Sequence, residues 1–229
     1  MAIININGKP FKYKEEYLTY ETIHPISHED GKVLLSKTKE LFDSIGLNFY
    51  LAFGTLLGAV RDKAIIKGDE DIDIFITNEN LLYTNLPFLF QNGLKVIRIH
   101  KGILYSFRMN EKCYIDVYIL RSLPIYNFWS IYCLSLSGFI TPKKFFKNYQ
   151  EIEFLNNIYM CPQNPEKLLE FWYGKNWKIP QKGHKFIYEV KSAHLWFKFR
   201  NMVISAIKTI IKTCIGWKYW KNIVNNRKF

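Results

Sequence analysis

Cysteine is scarce and scattered in this chain. Four occur in 229 residues, Cys113, Cys133, Cys161 and Cys214. They form no CxxC pair and no Cys/His cluster, which excludes the spacing of a zinc site and of a disulfide framework. Reduced, buried thiols in a cytoplasmic protein are the expectation. The opening MAIININGKPFKYKEE lacks the basic start and long apolar run of a secretory leader, so the mature chain is expected to begin near Met1. A clean membrane-spanning run is also missing. The stretch between Arg121 and Lys143 is free of charge, but Pro124, Asn127, Gly138 and several serines break it. A helical pair or a lobe closing over a sheet is expected there instead. Acid is in deficit, 20 Asp and Glu against 32 Lys and Arg, for a net charge of +12. That balance calls for an anionic partner, whether nucleic acid, a phosphorylated small molecule or an anionic membrane, and charge does not choose among them.

What is present is enough apolar material for a sizeable core: 48% of the residues are hydrophobic and only 23% charged, which excludes a disordered chain. Near the N-terminus, AIINI and FKY flank Asn7-Gly8, the signature of a short hairpin. From Ser27, the residues Val33, Leu34, Lys37, Leu41, Phe42 and Ile45 recur at helical steps and stop at Gly46. Asn48–Ala52 reads as a strand entering Gly54-Thr55, and Leu56–Asp62 as the start of a second helix. Further strands are expected at Asp71–Thr77, Lys95–His100, Ile103–Met109 and Tyr114–Leu120, and a helix from Pro165 ends at Gly174. The fold class is therefore α+β, a mixed sheet flanked by helices with a helical C-terminal part.

The acid deficit makes one segment conspicuous. FGTLLGAVRDKAIIKGDEDIDIFI places Asp69, Glu70, Asp71 and Asp73 within five residues, and carboxylates held so close repel unless a cation joins them. In DIDIFIT the acids alternate with isoleucines, so Asp71 and Asp73 share one strand face, the arrangement for oxygen ligation of a divalent ion. Asp116, between Ile115 and Val117, offers a third carboxylate from a neighbouring strand, and three carboxylates from two strands suit two-metal phosphate chemistry. The plainer reading is a solvated acidic edge, or ion pairs with the many lysines. Gly54-Thr55 favours the first reading, because a glycine at a strand-to-helix turn lets backbone N–H groups approach a phosphate. Arg61, further along that helix, suits a phosphate contact or a surface pair with Asp62 or Glu70.

GTLLGAVRDKAIIKGDEDIDIFI resembles the GTLLGxxR stretch and DxD acid run of the LicD/fukutin family of phosphotransferases, which have a nucleotidyltransferase-like fold. YIDVYIL around Asp116 and LLEFWYGKNWKIPQKGH resemble two further family elements in the same order, so the likeness covers roughly residues 30 to 184. It implies that Gly54 and Thr55 contact the nucleotide phosphates and Arg61 neutralises them. It implies that Asp71, Asp73 and Asp116 hold Mg2+ (or Mn2+), with Asp69 in catalysis or supporting it. Where the family has Pro-Trp before the acids, this chain has Lys67-Gly68, a departure on the side where the donor head group is expected.

The expected organisation is a catalytic domain over 1–190 that carries the resemblance, followed by a tail over 191–229 whose residues read as basic and amphipathic. The implied activity is metal-dependent transfer of phosphocholine or a polyol phosphate from a CDP-activated donor to a hydroxyl of a surface glycan or glycolipid, as in lipopolysaccharide or capsule biosynthesis. A nucleotidyltransferase moving a nucleoside monophosphate from an NTP to a small molecule or RNA would use the same residue types, and that alternative stays open. Nucleic acid is not the favoured partner, since a binding role gives no reason to cluster acids beside Gly54-Thr55. In the tail, Trp196, Trp217 and Trp220 among lysines fit a helix lying peripherally at the inner face of the cell membrane, or one packing on the core. His184 closes the distal motif and is a candidate to approach the phosphates, while His24, His28, His100 and His194 carry no signal.

Overall fold

Asn7 and Gly8 both take positive φ, 50° and 80°, the backbone a two-residue hairpin turn needs. They join β1 (Ala2–Ile6) to β2 (Lys9–Tyr13) as an antiparallel pair. The computed structural model that shows this describes residues 1–18, 24–121, 131–133 and 139–180. It divides into two compact units, Met1–Glu170 and Phe171–Phe229.

In the first unit, Ser27 caps α1 (His28–Ser44) by accepting the Asp30 N–H, the standard way to satisfy an orphan donor of the first turn. Leu34, Leu35, Thr38, Leu41 and Phe42 form its buried stripe. Val33, which the periodicity places on that stripe, is 47% exposed. Position 33 sits at the stripe's edge, where Leu34 and Leu35 already fill the buried face.

The sheet is built on β3 (Phe49–Leu51), β4 (Asp71–Ile76), β5 (Lys95–His100), β6 (Leu104–Arg108) and β7 (Tyr114–Arg121), in spatial order β3-β4-β7-β6-β5. Only β4 and β7 run parallel. Two short strands, β8 (Ile131–Cys133) and β9 (Phe139–Thr141), extend it from the end of β7. For this uncharged stretch a helical pair or a lobe closing over the sheet was expected; what is described of it is strand, not helix, and its remainder lies outside the described residues.

Register gives the sheet two unlike faces. Ile72, Ile74 and Ile76 lie beside Ile115, Val117 and Ile119, all buried, and α1 packs against these two strands, with Phe42 meeting Phe49 edge-on. Each such side chain contributes about 1.5–3 kcal/mol by leaving water. The opposite face pairs Asp71 with Tyr114, Asp73 with Asp116 and Phe75 with Tyr118.

Between β3 and β4 the chain turns into α2 (Phe53–Leu57), then into one π-helical turn, Gly58–Asp62, which stops at Lys63 with φ 55°. The expected second helix therefore starts three residues earlier and is wider in its second half. Two short helices, α3 (Glu79–Thr84) and α4 (Leu86–Gln91), lead to β5. A second hairpin, β10 (Tyr149–Phe154) and β11 (Asn157–Pro162), turns at Leu155-Asn156. It stacks Tyr149 on Tyr50 with ring centroids 3.8 Å apart.

A last helix, α5 (Pro165–Tyr173), ends before Gly174, φ 83°. The tail over 191–229 and His184 lie outside the described residues. Cys113 and Cys161 are free and buried, and burial pushes both thiols up to about 11, as expected for unreactive core cysteines. Among the described residues no helix is long and apolar enough to cross a membrane.

Candidate active site

The acid-bearing face meets the turn at Gly54-Thr55 through hydrogen bonds in both directions. The Thr55 hydroxyl accepts the Asp73 backbone N–H at 2.8 Å, and the Asp73 carboxylate accepts the Gly54 N–H at 3.1 Å. Ala52 donates to the Asp73 carbonyl at 3.0 Å. Asp73 is thereby held at three points by three residues of the turn, Ala52, Gly54 and Thr55. Phe53, between the strand and the glycine, has φ 32°, a strained value for a bulky residue. Its ring holds it there by packing edge-on against Phe75 and Tyr118.

Gly54 is required by proximity. A Cβ at this position would lie 2.7 Å from Asp69 Oδ2 and 3.4 Å from Asp73 Oδ2. The Asp69 carboxylate is thus brought against the turn, 8% exposed, and the Asp69 backbone is pinned by bonds to Ile66 and Ile26.

The carboxylates raise one another. Burial, then Asp116 and Asp69, push the Asp71 carboxyl well above the usual range, and a hydrogen bond with Tyr114 opposes this. Burial, then Asp71, Asp69 and Asp116, do the same to Asp73. Such mutual repulsion in a low-dielectric setting is what a bound cation relieves.

Asp116 differs. Burial raises it as well, but Arg98 and Ser106 pull it down. Arg98 Nη2 reaches Asp116 Oδ1 and Oδ2 at 3.0 and 2.9 Å, Arg98 Nε donates to Ser106 at 2.9 Å, and Ser106 donates to Asp116 Oδ1 at 2.6 Å.

Of the sequence-predicted residues, the structure brings Gly54, Thr55, Asp69, Asp71, Asp73 and Asp116 to one face. Arg61 is engaged by its neighbour: its Nε and Nη2 each contact an Asp62 carboxylate oxygen at 2.7 Å, the Asp62 partner weighed for it in the sequence, though its side chain is largely buried and not at the surface. Arg98, Ser106 and Tyr114 were missed. The one available signal was Val96-Ile97 before Arg98, two consecutive aliphatics that break the alternation of a strand.

A divalent ion fits this donor set at Asp71 and Asp73, a half-buried and a buried carboxylate on one strand face, both with upward-shifted pKa values. No three His, Cys, Asp or Glu side chains among the described residues converge as a ready ligand set.

The family model described as LicD/FKTN/FKRP, nucleotidyltransferase domain, matches residues 46–164, the segment that carries all seven predicted site residues. The chain belongs to this family. Among curated proteins, this LicD-family chain is 26% identical over 188 residues to human ribitol-5-phosphate transferase FKTN, covering 75% of the chain and 40% of that protein. It is 34% identical over 90 residues to an uncharacterized Rickettsia typhi protein, RT0683, covering 38% of the chain and 28% of that protein. The chain thus spans less than half the length of these relatives. The lincomycin-bound lincosamide antibiotic adenylyltransferase LnuA aligns at a TM-score of 0.43 and 14% identity, covering 63% of this chain and 85% of that one.

Proposed function

We propose that this chain is a transferase that moves a phosphate-linked polyol or phosphocholine from a CDP-activated donor to a glycan or glycolipid hydroxyl. The observation that carries the reading is the locking of Asp73 to the Gly54-Thr55 turn beside Asp71 and Asp116, which puts backbone N–H groups and carboxylates at one spot. Membership of the family supports it. The name of the human relative, a ribitol-5-phosphate transferase, favours a polyol phosphate over phosphocholine.

Asp71 and Asp73 would hold a divalent cation, Mg2+ or Mn2+, which when bound supplies charge neutralisation at the donor's diphosphate. Gly54 and Thr55 keep Asp73 from swinging away, and the missing Cβ at Gly54 leaves room for the Asp69 carboxylate beside Asp73. Arg61 reaches the donor phosphates by exchanging Asp62 for them.

Asp69 accepts the proton of the acceptor hydroxyl as its oxygen bonds to the β-phosphorus and the phosphorus–oxygen bond to CMP breaks. Asp116 is the poorer base, since its lone pairs already receive Arg98 and Ser106. The basic surface suits an anionic glycolipid acceptor, with the tail over 191–229 as its membrane contact.

Phosphorus NMR of the products formed from CDP-ribitol or CTP, with Mg2+ and a glycan acceptor mixture, tests this. Release of CMP from CDP-ribitol supports the reading. Release of pyrophosphate from CTP or ATP would make the chain a nucleotidyltransferase instead.

A further inference from the structure

Strand β5 carries a one-residue irregularity at the position that matters for the acids. Val96 pairs with Phe107, but Arg98, two residues on, pairs with Ser106, the very next residue back along β6, so Ile97 has no counterpart. The Glu16 N–H takes the Ile97 carbonyl at 2.9 Å, which fixes the extra residue in place.

Side chains alternate between faces, so the inserted residue reverses the parity of everything after it. Phe107 pairs with Ile115 on the aliphatic face, and Ser106 pairs with Asp116 on the acid face. In a regular strand Ile97 would stand opposite Ser106 and Arg98 would point into the aliphatic core. The bulge puts Arg98 on the acid face instead, where its guanidinium grips Asp116 with both partners largely buried, 17% and 5% exposed.

We propose that Arg98 is a built-in counter-cation: it takes the place of a second metal ion at Asp116, so the acid face binds one divalent cation, held by Asp71 and Asp73. Asp116 Oδ1 already receives two donors, Arg98 and Ser106, and Oδ2 receives a third contact. A carboxylate so occupied, with a fixed positive charge against it, is a poor ligand for a divalent ion. Asp71 has Tyr114 as its partner and Asp73 has one backbone N–H, which leaves each with lone pairs for a cation. Arg98 is thus a positioning residue that sets the number of metal ions. The inference rests on the cation reading given under Proposed function.

Mn2+ binding to the full chain, followed by electron paramagnetic resonance of the free ion, tests it without any turnover. The expected result is one Mn2+ per chain in the wild type, lost in Asp73→Asn and kept in Asp116→Asn within about threefold in affinity. Arg98→Met should free Asp116 and add a second Mn2+, whereas Arg98→Lys should stay at one. Two Mn2+ in the wild type, or loss of Mn2+ in Asp116→Asn equal to that in Asp73→Asn, would overturn the role of Arg98 and leave the transferase reading intact. An Arg98→Met protein that folds with the wild-type count and affinity would do the same. Should Arg98→Met fail to fold, the wild-type count and Asp116→Asn decide. No Mn2+ binding to the wild type would overturn the cation reading itself.

Discussion

Thr55 shows at the scale of one residue how the turn and the acid strand are tied. Its hydroxyl is the partner of the Asp73 N–H, and both groups are buried. Thr55→Val keeps the shape and removes the acceptor, leaving a buried donor unpaired at a cost of about 1–3 kcal/mol. Thermal unfolding should show a drop of several degrees for Thr55→Val and a far smaller one for Thr55→Ser. Turnover should fall in Thr55→Val beyond what stability explains, because the Asp73 backbone is no longer anchored. The acids themselves were legible in the sequence, since DIDIFI declares its own faces. Arg98 was not, because its direction depends on Ile97 of the same strand lacking a counterpart across the sheet, and the consecutive aliphatics Val96-Ile97 signal a break in alternation without saying which residue is the extra one.

Among elements, the join of β3 and α2 decides the site. Gly54 lies in the first turn of a helix, where alanine is ordinarily preferred by roughly 0.5–1 kcal/mol, and its φ needs no glycine. Propensity therefore predicts that Gly54→Ala stabilises the protein, whereas the 2.7 Å approach of Asp69 Oδ2 predicts that it displaces the carboxylate. We expect activity to fall at least 100-fold with little or no gain in melting temperature. A stabilised, fully active Gly54→Ala would refute the close approach. The strand–Gly–helix order was readable from GTLLG and the strand before it, and so were the sheet strands. The hairpin of β10 and β11 was not, since its turn uses Leu155-Asn156 in place of a glycine pair. The π-helical widening at Gly58–Asp62 also leaves no mark in apolar periodicity.

For the whole molecule, the clustered acids of this face set a pH dependence with a definite sign. Asp71 and Asp73 have folded-state pKa values above their unfolded ones. Their contribution to stability is therefore fully present below the unfolded value near 4 and is lost as pH rises through the higher folded values. In chelator, the chain should melt higher at pH 5 than at pH 8. Asp73→Asn should raise the melting temperature at pH 8, because the neutral amide removes a charge that burial and the neighbouring carboxylates disfavour. Added Mg2+ or Mn2+ should stabilise the wild type at pH 8 and not the variant. A melting temperature that does not change with pH between 5 and 8 would mean the acids are solvated.

The central claim, a cation-dependent site for a CDP-linked donor on the acid face, is tested most directly by calorimetric titration of CDP-ribitol, CDP-glycerol, CDP-choline, CTP and ATP in Mg2+. The titrations would use the wild type and the Asp71→Asn, Asp73→Asn double variant. The account predicts Mg2+-dependent binding of a CDP-linked compound, a CDP-polyol before CDP-choline, that is lost in the double variant. Equal binding by the double variant, or a preference for a triphosphate, would contradict it.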